Sequence, residues 1–174
     1  MAQIDPMTLG AWFDAYSARL VLYARQWLAP GEAEDAVQDA FVGLMGQRQP
    51  PENVKAWLFT AVRNASVSSL RSHLRRRRRE RARAAERVEW FESRPDELID
   101  ARAAQEALEA MPDDQREVVT LRIWGQMTLR EISDIADTSP ATALRRYRQG
   151  LAALRAYLEA SCRTHPTPNR TERD

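Results

Sequence analysis

Residues 128–149 read TLREISDIADTSPATALRRYRQ, two short helical patterns around a turn. Thr128-Leu129-Arg130-Glu131 is a capping box, in which the Thr hydroxyl and the Glu carboxylate each accept a backbone N–H at a helix start. Leu129, Ile132, Ile135 and Ala136 then recur at the spacing of one helical face. Asp137-Thr138 makes the turn. Ser139 and Pro140 restart a helix, the serine as N-cap and the proline at the first helical position, where its missing N–H is not needed. In this second helix Ala143, Tyr147, Leu151 and Leu154 face inward, and Leu144, Arg145, Arg148 and Gln149 face outward. Arginine and glutamine on the outer, N-terminal half of such a helix suit guanine and adenine edges in the major groove. The segment therefore reads as a helix-turn-helix, with Thr142, Leu144, Arg145, Arg148 and Gln149 as candidate DNA contacts. The competing reading is an ordinary helical hairpin with a solvated face.

Outward from this segment, the charge pattern extends the DNA reading. The 174 residues carry 26 Lys+Arg and 25 Asp+Glu, a net charge of +1. That total excludes a uniformly basic nucleic-acid coat, but it is a sum of unlike blocks. Residues 1–62 are net −3, 63–87 net +8, 88–117 net −7 and 118–174 net +3. A basic block followed by an acidic one points to a polyanion partner for some segments and a different partner for others. Lys55 is the one lysine among the 26 basic residues. The plain explanation is a GC-rich coding sequence; the functional one is the arginine fork's fit to phosphate and base edges. One cysteine, Cys162, excludes a disulfide framework, and with two histidines a metal site or a nucleophile–base pair finds no support. No cofactor, no metal and no enzymatic role are expected. No run of about 18 apolar residues predicts a membrane span, and Met1 to Pro6 lacks a secretory pattern, so a cytoplasmic protein is expected.

The rest of the chain reads as helix, with no competing strand pattern. Thr8 is a candidate cap for a helix with Trp12, Phe13, Tyr16, Leu20, Tyr23 and Trp27 on one side, ended by Pro30-Gly31. A second helix from Glu32 to about Met45 buries Ala33, Val37, Ala40, Phe41 and Leu44 and exposes Glu34, Asp35, Gln38 and Asp39. That acidic face serves solubility or docks a basic protein surface. After a loop with two prolines, Asn53 caps a third helix with Val54, Trp57, Leu58, Ala61, Val62, Ala65 and Leu70 as its stripe. Trp57 reads as core before it reads as a stacking platform. Still, Trp57 and Phe59 beside an arginine run from Arg71 through Arg75–Arg79 are the kind of pairing that suits unstacked bases. Residues 81–101 form a linker, broken at Ser93-Arg94-Pro95-Asp96. Helix resumes near Ala101, stops at Pro112, and restarts at Asp113 with Val118, Val119, Leu121 and Ile123 apolar up to Gly125.

Three segments in this order resemble the extracytoplasmic-function class of bacterial RNA polymerase sigma factors. They are Ala33-Glu34-Asp35-Ala36-Val37-Gln38-Asp39-Ala40-Phe41, Trp57-Leu58-Phe59-Thr60-Ala61-Val62-Arg63-Asn64 with Leu70-Arg71 and the arginine run, and Met111-Pro112 with Arg116-Glu117-Val118-Val119 before the helix-turn-helix. The resemblance covers about residues 9–160. Asp137 stands where the family's turn usually has glycine, and Ser68 where an aspartate is common.

The resemblance implies an all-α chain of two small helical domains joined by an acidic linker: region 2 over 8–80, the linker over 81–101, region 4 over 102–160, then a polar tail over 161–174. It implies that Glu34, Asp35, Gln38 and Asp39 bind the clamp helices of core RNA polymerase. It implies that Arg63, Asn64, Arg71, Arg75 and Arg76 hold the opened −10 strand, with loop 47–52 taking a flipped base. The acidic linker would thread toward the polymerase channel, and the helix-turn-helix would read the −35 element. Promoter DNA, core polymerase and an anti-sigma factor are the implied partners. The alternative is a helix-turn-helix regulator that acts without polymerase.

Overall fold

The computed structural model describes residues 4–79 and 106–164, with side chains over 4–70 and 106–160. These residues are all-α, with no strand among them. The elements are α1 (Pro6–Ala24), α2 (Pro30–Met45), α3 (Val54–Arg79), α4 (Asp113–Ile123), α5 (Leu129–Ile135) and α6 (Pro140–Thr164). A further helical stretch over 106–109 precedes α4. The linker over 81–101 and nearly all of the tail lie outside the described residues.

The helix starts follow from local chemistry. Asp5 is the N-cap of α1: its carboxylate accepts Thr8 N–H at 3.1 Å, and Pro6 occupies the first turn. This corrects the expectation that Thr8 itself caps; Thr8 donates where it was expected to accept. Pro30 likewise opens α2 instead of only ending α1, because a proline at the first helical position gives up no bond. Glu32 reaches back to the Ala29 N–H at 3.3 Å. Asn53 caps α3 as expected, accepting Ala56 N–H at 3.0 Å.

Helices α1, α2 and α3 pack around Leu20, Tyr23, Val37, Leu44, Leu58, Phe59 and Val62. Complete burial of each such side chain contributes about 1.5–3 kcal/mol. Phe59 lies in this core, its ring 5.3 Å from that of Tyr23, which corrects its expected place among base-facing aromatics. Ala65 is exposed and Ser66 takes its place in the buried stripe of α3. Trp57 is half-buried against the core.

The same apolar cluster continues into the C-terminal half, through Val118, Leu121, Met127, Ile132 and Ile135. Leu108, Met111 and Val119 make a second, smaller cluster covered by Trp124, Tyr147 and Leu154. Ile123 is 40% exposed, unlike the other apolar residues of α4, which are buried. Helix α6 crosses α4 closely at Gly150, where a Cβ would lie 2.5 Å from Val119 Cγ2.

Candidate nucleic-acid interface

The helix-turn-helix is built as its sequence dictates. Thr128 N–H donates to Glu131 Oε2 at 2.7 Å, and Glu131 N–H donates back to Thr128 Oγ1 at 3.2 Å, completing the capping box of α5. Asp137 has a φ of 48°, the left-handed conformation that a turn there requires and that aspartate tolerates better than most residues. Ser139 caps α6, its hydroxyl accepting Thr142 N–H at 3.1 Å. The Thr142 hydroxyl also accepts from Ser139 Oγ at 2.9 Å and keeps its own O–H to donate.

Of the five residues expected to face DNA here, Arg145, Arg148 and Gln149 are exposed on one face of α6. Thr142 and Leu144 are half-buried, so Leu144 does not point fully outward as expected. Arg146, which the sequence reading passed over, turns back to Asp114 of α4 with Nε–Oδ2 at 2.8 Å. That ion pair adds to the close approach of α6 and α4 at Gly150, from which the exposed arginines project. The i, i+4 register of Arg146 with the inward Gly150 is the signal that could have placed it.

On α2, Glu34, Asp35, Gln38 and Asp39 are all exposed, and Ala33, Ala36, Val37 and Ala40 between them are buried. Val42 and Met45, 62% and 51% exposed, extend the same face toward the helix end. An acidic rim with apolar residues beside it is suited to a basic protein surface.

Arg63 and Asn64 stand side by side on α3 but in different settings. Asn64 is exposed. Arg63 is half-buried, and its Nε donates to Glu117 Oε1 of α4 at 2.6 Å. The Tyr23 hydroxyl donates to the same oxygen at 2.8 Å. Burial pushes the Tyr23 phenol well above its ordinary value, and the Glu117 charge and hydrogen bond add to this, so Tyr23 stays a neutral donor. Burial works against the Arg63 guanidinium, but the bond and charge of Glu117 outweigh it and raise its pKa. The side chains of Arg71, Arg75 and Arg76 lie outside the described residues.

Beside loop 47–52 is a shallow hollow of about 530 Å³ bordered by Trp12, Tyr16, Pro51, Asn53, Lys55 and Glu131. The last of these comes from α5. Glu131 accepts from Asn53 Nδ2 at 2.8 Å and lies 3.7 Å from Lys55 Nζ. Neither Glu117 nor Glu131 was expected to meet the N-terminal half. Among the described residues no cluster of metal-ligating side chains occurs, and no helix is long and apolar enough to cross a membrane.

Two family models match, Sigma-70 region 2 over residues 12–80 and Sigma-70 region 4 over residues 101–154. The chain belongs to the sigma-70 family, in its extracytoplasmic-function class. It is an RNA polymerase sigma factor, whose partners are core polymerase and promoter DNA. The reading as a regulator independent of polymerase is not favoured. This sigma factor is similar to the ECF RNA polymerase sigma factor SigK of Mycolicibacterium vanbaalenii, 28% identical over 167 residues, which is 91% of this chain and 85% of the relative. Its fold is similar to that of the sigma factor RpoE from Bartonella quintana, solved with the anti-sigma factor NepR. That match has a TM-score of 0.72 at 22% identity and covers 86% of this chain and 97% of the other. It is also similar to CnrH, solved with the cytosolic domain of CnrY, with a TM-score of 0.62 at 21% identity over 90% and 91% of the two chains.

Proposed function

We propose that the two halves of this sigma factor divide promoter recognition, residues 8–80 docking on polymerase and opening the −10 element, and residues 102–160 reading the −35 element. The clamp helices of the largest polymerase subunit meet Glu34, Asp35, Gln38 and Asp39. Arg145, Arg148 and Gln149 enter the major groove, the arginines on guanine and the glutamine on adenine. Leu144 and Thr142 lie at the edge of that contact. Arg63 and Asn64, with Arg71, Arg75 and Arg76, hold the non-template strand. The acidic linker over 81–101 runs toward the polymerase channel. Polymerase supplies the chemistry, in the cytoplasm, and an anti-sigma factor holds the chain in reserve, as the solved relatives in their complexes suggest by analogy.

The observation that carries this reading is one exposed basic face on α6 combined with one exposed acidic face on α2, in a chain of this family. DNA alone would leave the acidic face without a role, and polymerase alone would leave the basic one without one. The test is run-off transcription with core polymerase and the full chain on genomic fragments, including the region upstream of its own coding sequence. Promoter-specific transcripts are expected. Failure to co-elute with core, with no such transcript, refutes the proposal.

A further inference from the structure

The stretch Arg145-Arg146-Tyr147-Arg148 holds three arginines, and Arg145 and Arg148 are exposed while Arg146 is not. Each residue advances about 100° around a helix, which puts Arg146 at the border between two faces of α6. Ala143, three residues before it, and Gly150, four after, are buried. Gln149, three after, is exposed, and Thr142, four before, is half-buried. A long side chain at such a border can reach either way. Here it reaches Asp114 of α4, with Nε–Oδ2 at 2.8 Å and the two side chains 26% and 48% exposed. Arg146 Nε is shielded from water and makes no hydrogen bond, so charge and not alignment holds the pair. Asp113, beside Asp114 in the same first turn, pairs instead with Arg116 of its own helix.

The pair offers the fold little. An ion pair between partly exposed side chains contributes little to stability. Helices α4 and α6 are already joined at Gly150 and through Met111, Val119, Tyr147 and Leu154. What the pair changes is the charge that α6 presents beside its reading face. Contacts to phosphate supply affinity without sequence, and a guanidinium is well suited to make them.

We propose that Asp114 is a specificity-determining residue: it holds Arg146 on α4, keeps that guanidinium off the DNA backbone, and so limits binding to sequences other than the promoter. This rests on the −35-reading role given to α6 above. In the promoter complex the base contacts of Arg145, Arg148 and Gln149 set where α6 lies. On other DNA nothing fixes it, and the helix shifts until a free Arg146 meets a phosphate. Releasing Arg146 therefore strengthens the wrong complexes more than the right one. Wrong sites far outnumber right ones in a genome, so discrimination depends on keeping the sequence-independent part of the affinity small.

The test follows binding of the full chain by anisotropy over a range of salt. The probes are a fluorescein-labelled duplex of random sequence and a promoter duplex found by run-off transcription. On the random duplex, D114N should steepen the fall of log affinity with log salt by about 0.9, the value of one phosphate contact. Its advantage over the parent should shrink about 3.5-fold between about 50 and 200 mM salt, the factor that this slope gives. The ratio of promoter to random affinity should fall. D114E keeps the charge and should keep the parent slope, and D114N with R146A should return to it. D113N changes the net charge equally but frees no residue of α6, so its slope should match the parent's.

A D114N slope equal to the parent's overturns the proposal. So does a D113N slope as steep as that of D114N, which makes net charge the cause, or a steep slope that persists when R146A is added. Weaker promoter binding by D114N at an unchanged slope means that the pair only orients α6, and also overturns it. R145A separates this proposal from the reading beneath it. If R145A binds both duplexes as the parent does, α6 reads no DNA and both fall. If R145A weakens promoter binding while D114N leaves the slope alone, the role of Asp114 falls and the −35 reading stands.

Discussion

Replacing Gly150 by alanine tests whether the crossing of α4 and α6 is as tight as the structure shows. The new Cβ would sit 2.5 Å from Val119 Cγ2, and 3.5 Å from both Gln115 O and Met111 Sδ. Carbon atoms in contact prefer about 3.5–4.0 Å, so the overlap with Val119 is about 1 Å. Val119 is fully buried and β-branched on a helix, where essentially one χ1 rotamer is allowed, so it has no room to swing aside. A helix must move instead. Overpacking of this kind costs about 1–3 kcal/mol, and the better helix propensity of alanine offsets about 1 kcal/mol. G150A should therefore lose up to about 2 kcal/mol in urea unfolding of the full chain. V119A removes the clashing methyl group, so the double variant should be more stable than the sum of the singles predicts, by roughly 1–3 kcal/mol. The −35 affinity should follow the same pattern, because α6 carries Arg145, Arg148 and Gln149. Additivity within about 0.5 kcal/mol, or a G150A chain more stable than its parent, would refute the argument.

Arg145→Ala should cost about 1–3 kcal/mol in promoter affinity and alter sequence preference at one position, measured by competition binding to −35 variants. Uniform weakening across all sequences would mark a phosphate contact instead. Asp35→Lys with Asp39→Lys should abolish co-elution with core polymerase while the circular dichroism and melting temperature stay near those of the parent; unchanged core affinity would remove the docking face. Burial raises the Glu131 pKa, but bonds from the Thr128 backbone, Asn53 and the Thr128 hydroxyl, with the Lys55 charge, hold it below the ordinary 4.5. Its stabilisation is thus complete above that value and lost as pH falls through the lowered one. E131Q should flatten the acid limb of stability against pH, followed by thermal melts, and identical acid limbs would count against it. Tyr23, raised by burial, should be the last tyrosine to ionise on alkaline titration in the ultraviolet, together with loss of the fold.

What the sequence revealed and concealed follows the range of the interactions. The capping box at Thr128–Glu131 and the Ser139-Pro140 start are contacts three residues long, and both form as read. Asp5-Pro6 obeys the same rule and was missed because the apolar pattern becomes regular only at Trp12, which drew the start toward Thr8. Phe59 and Ser66 show the limit of reading a stripe by residue type, since α3 packs on α1, α2 and α5 and buries a wider arc than one face. Gly150 was legible in principle, as the small residue in an inward series with Ala143, Tyr147 and Leu154. The pairing of Arg63 with Glu117 was not, because nothing local links residues 54 positions apart.

That pairing changes the meaning of the charge pattern. The basic block over 63–87 and the acidic block over 88–117 read as two separate calls on outside partners, yet Arg63 opens the first and Glu117 closes the second. At least this part of the asymmetry is satisfied inside the chain. Salt should act unequally on the two contacts, since mobile ions screen the more accessible Lys55–Glu131 pair more than the nearly buried Glu117. Ionic strength alone is therefore a weak means of separating the two halves, which also share an apolar cluster that kosmotropic salts such as sulfate would strengthen.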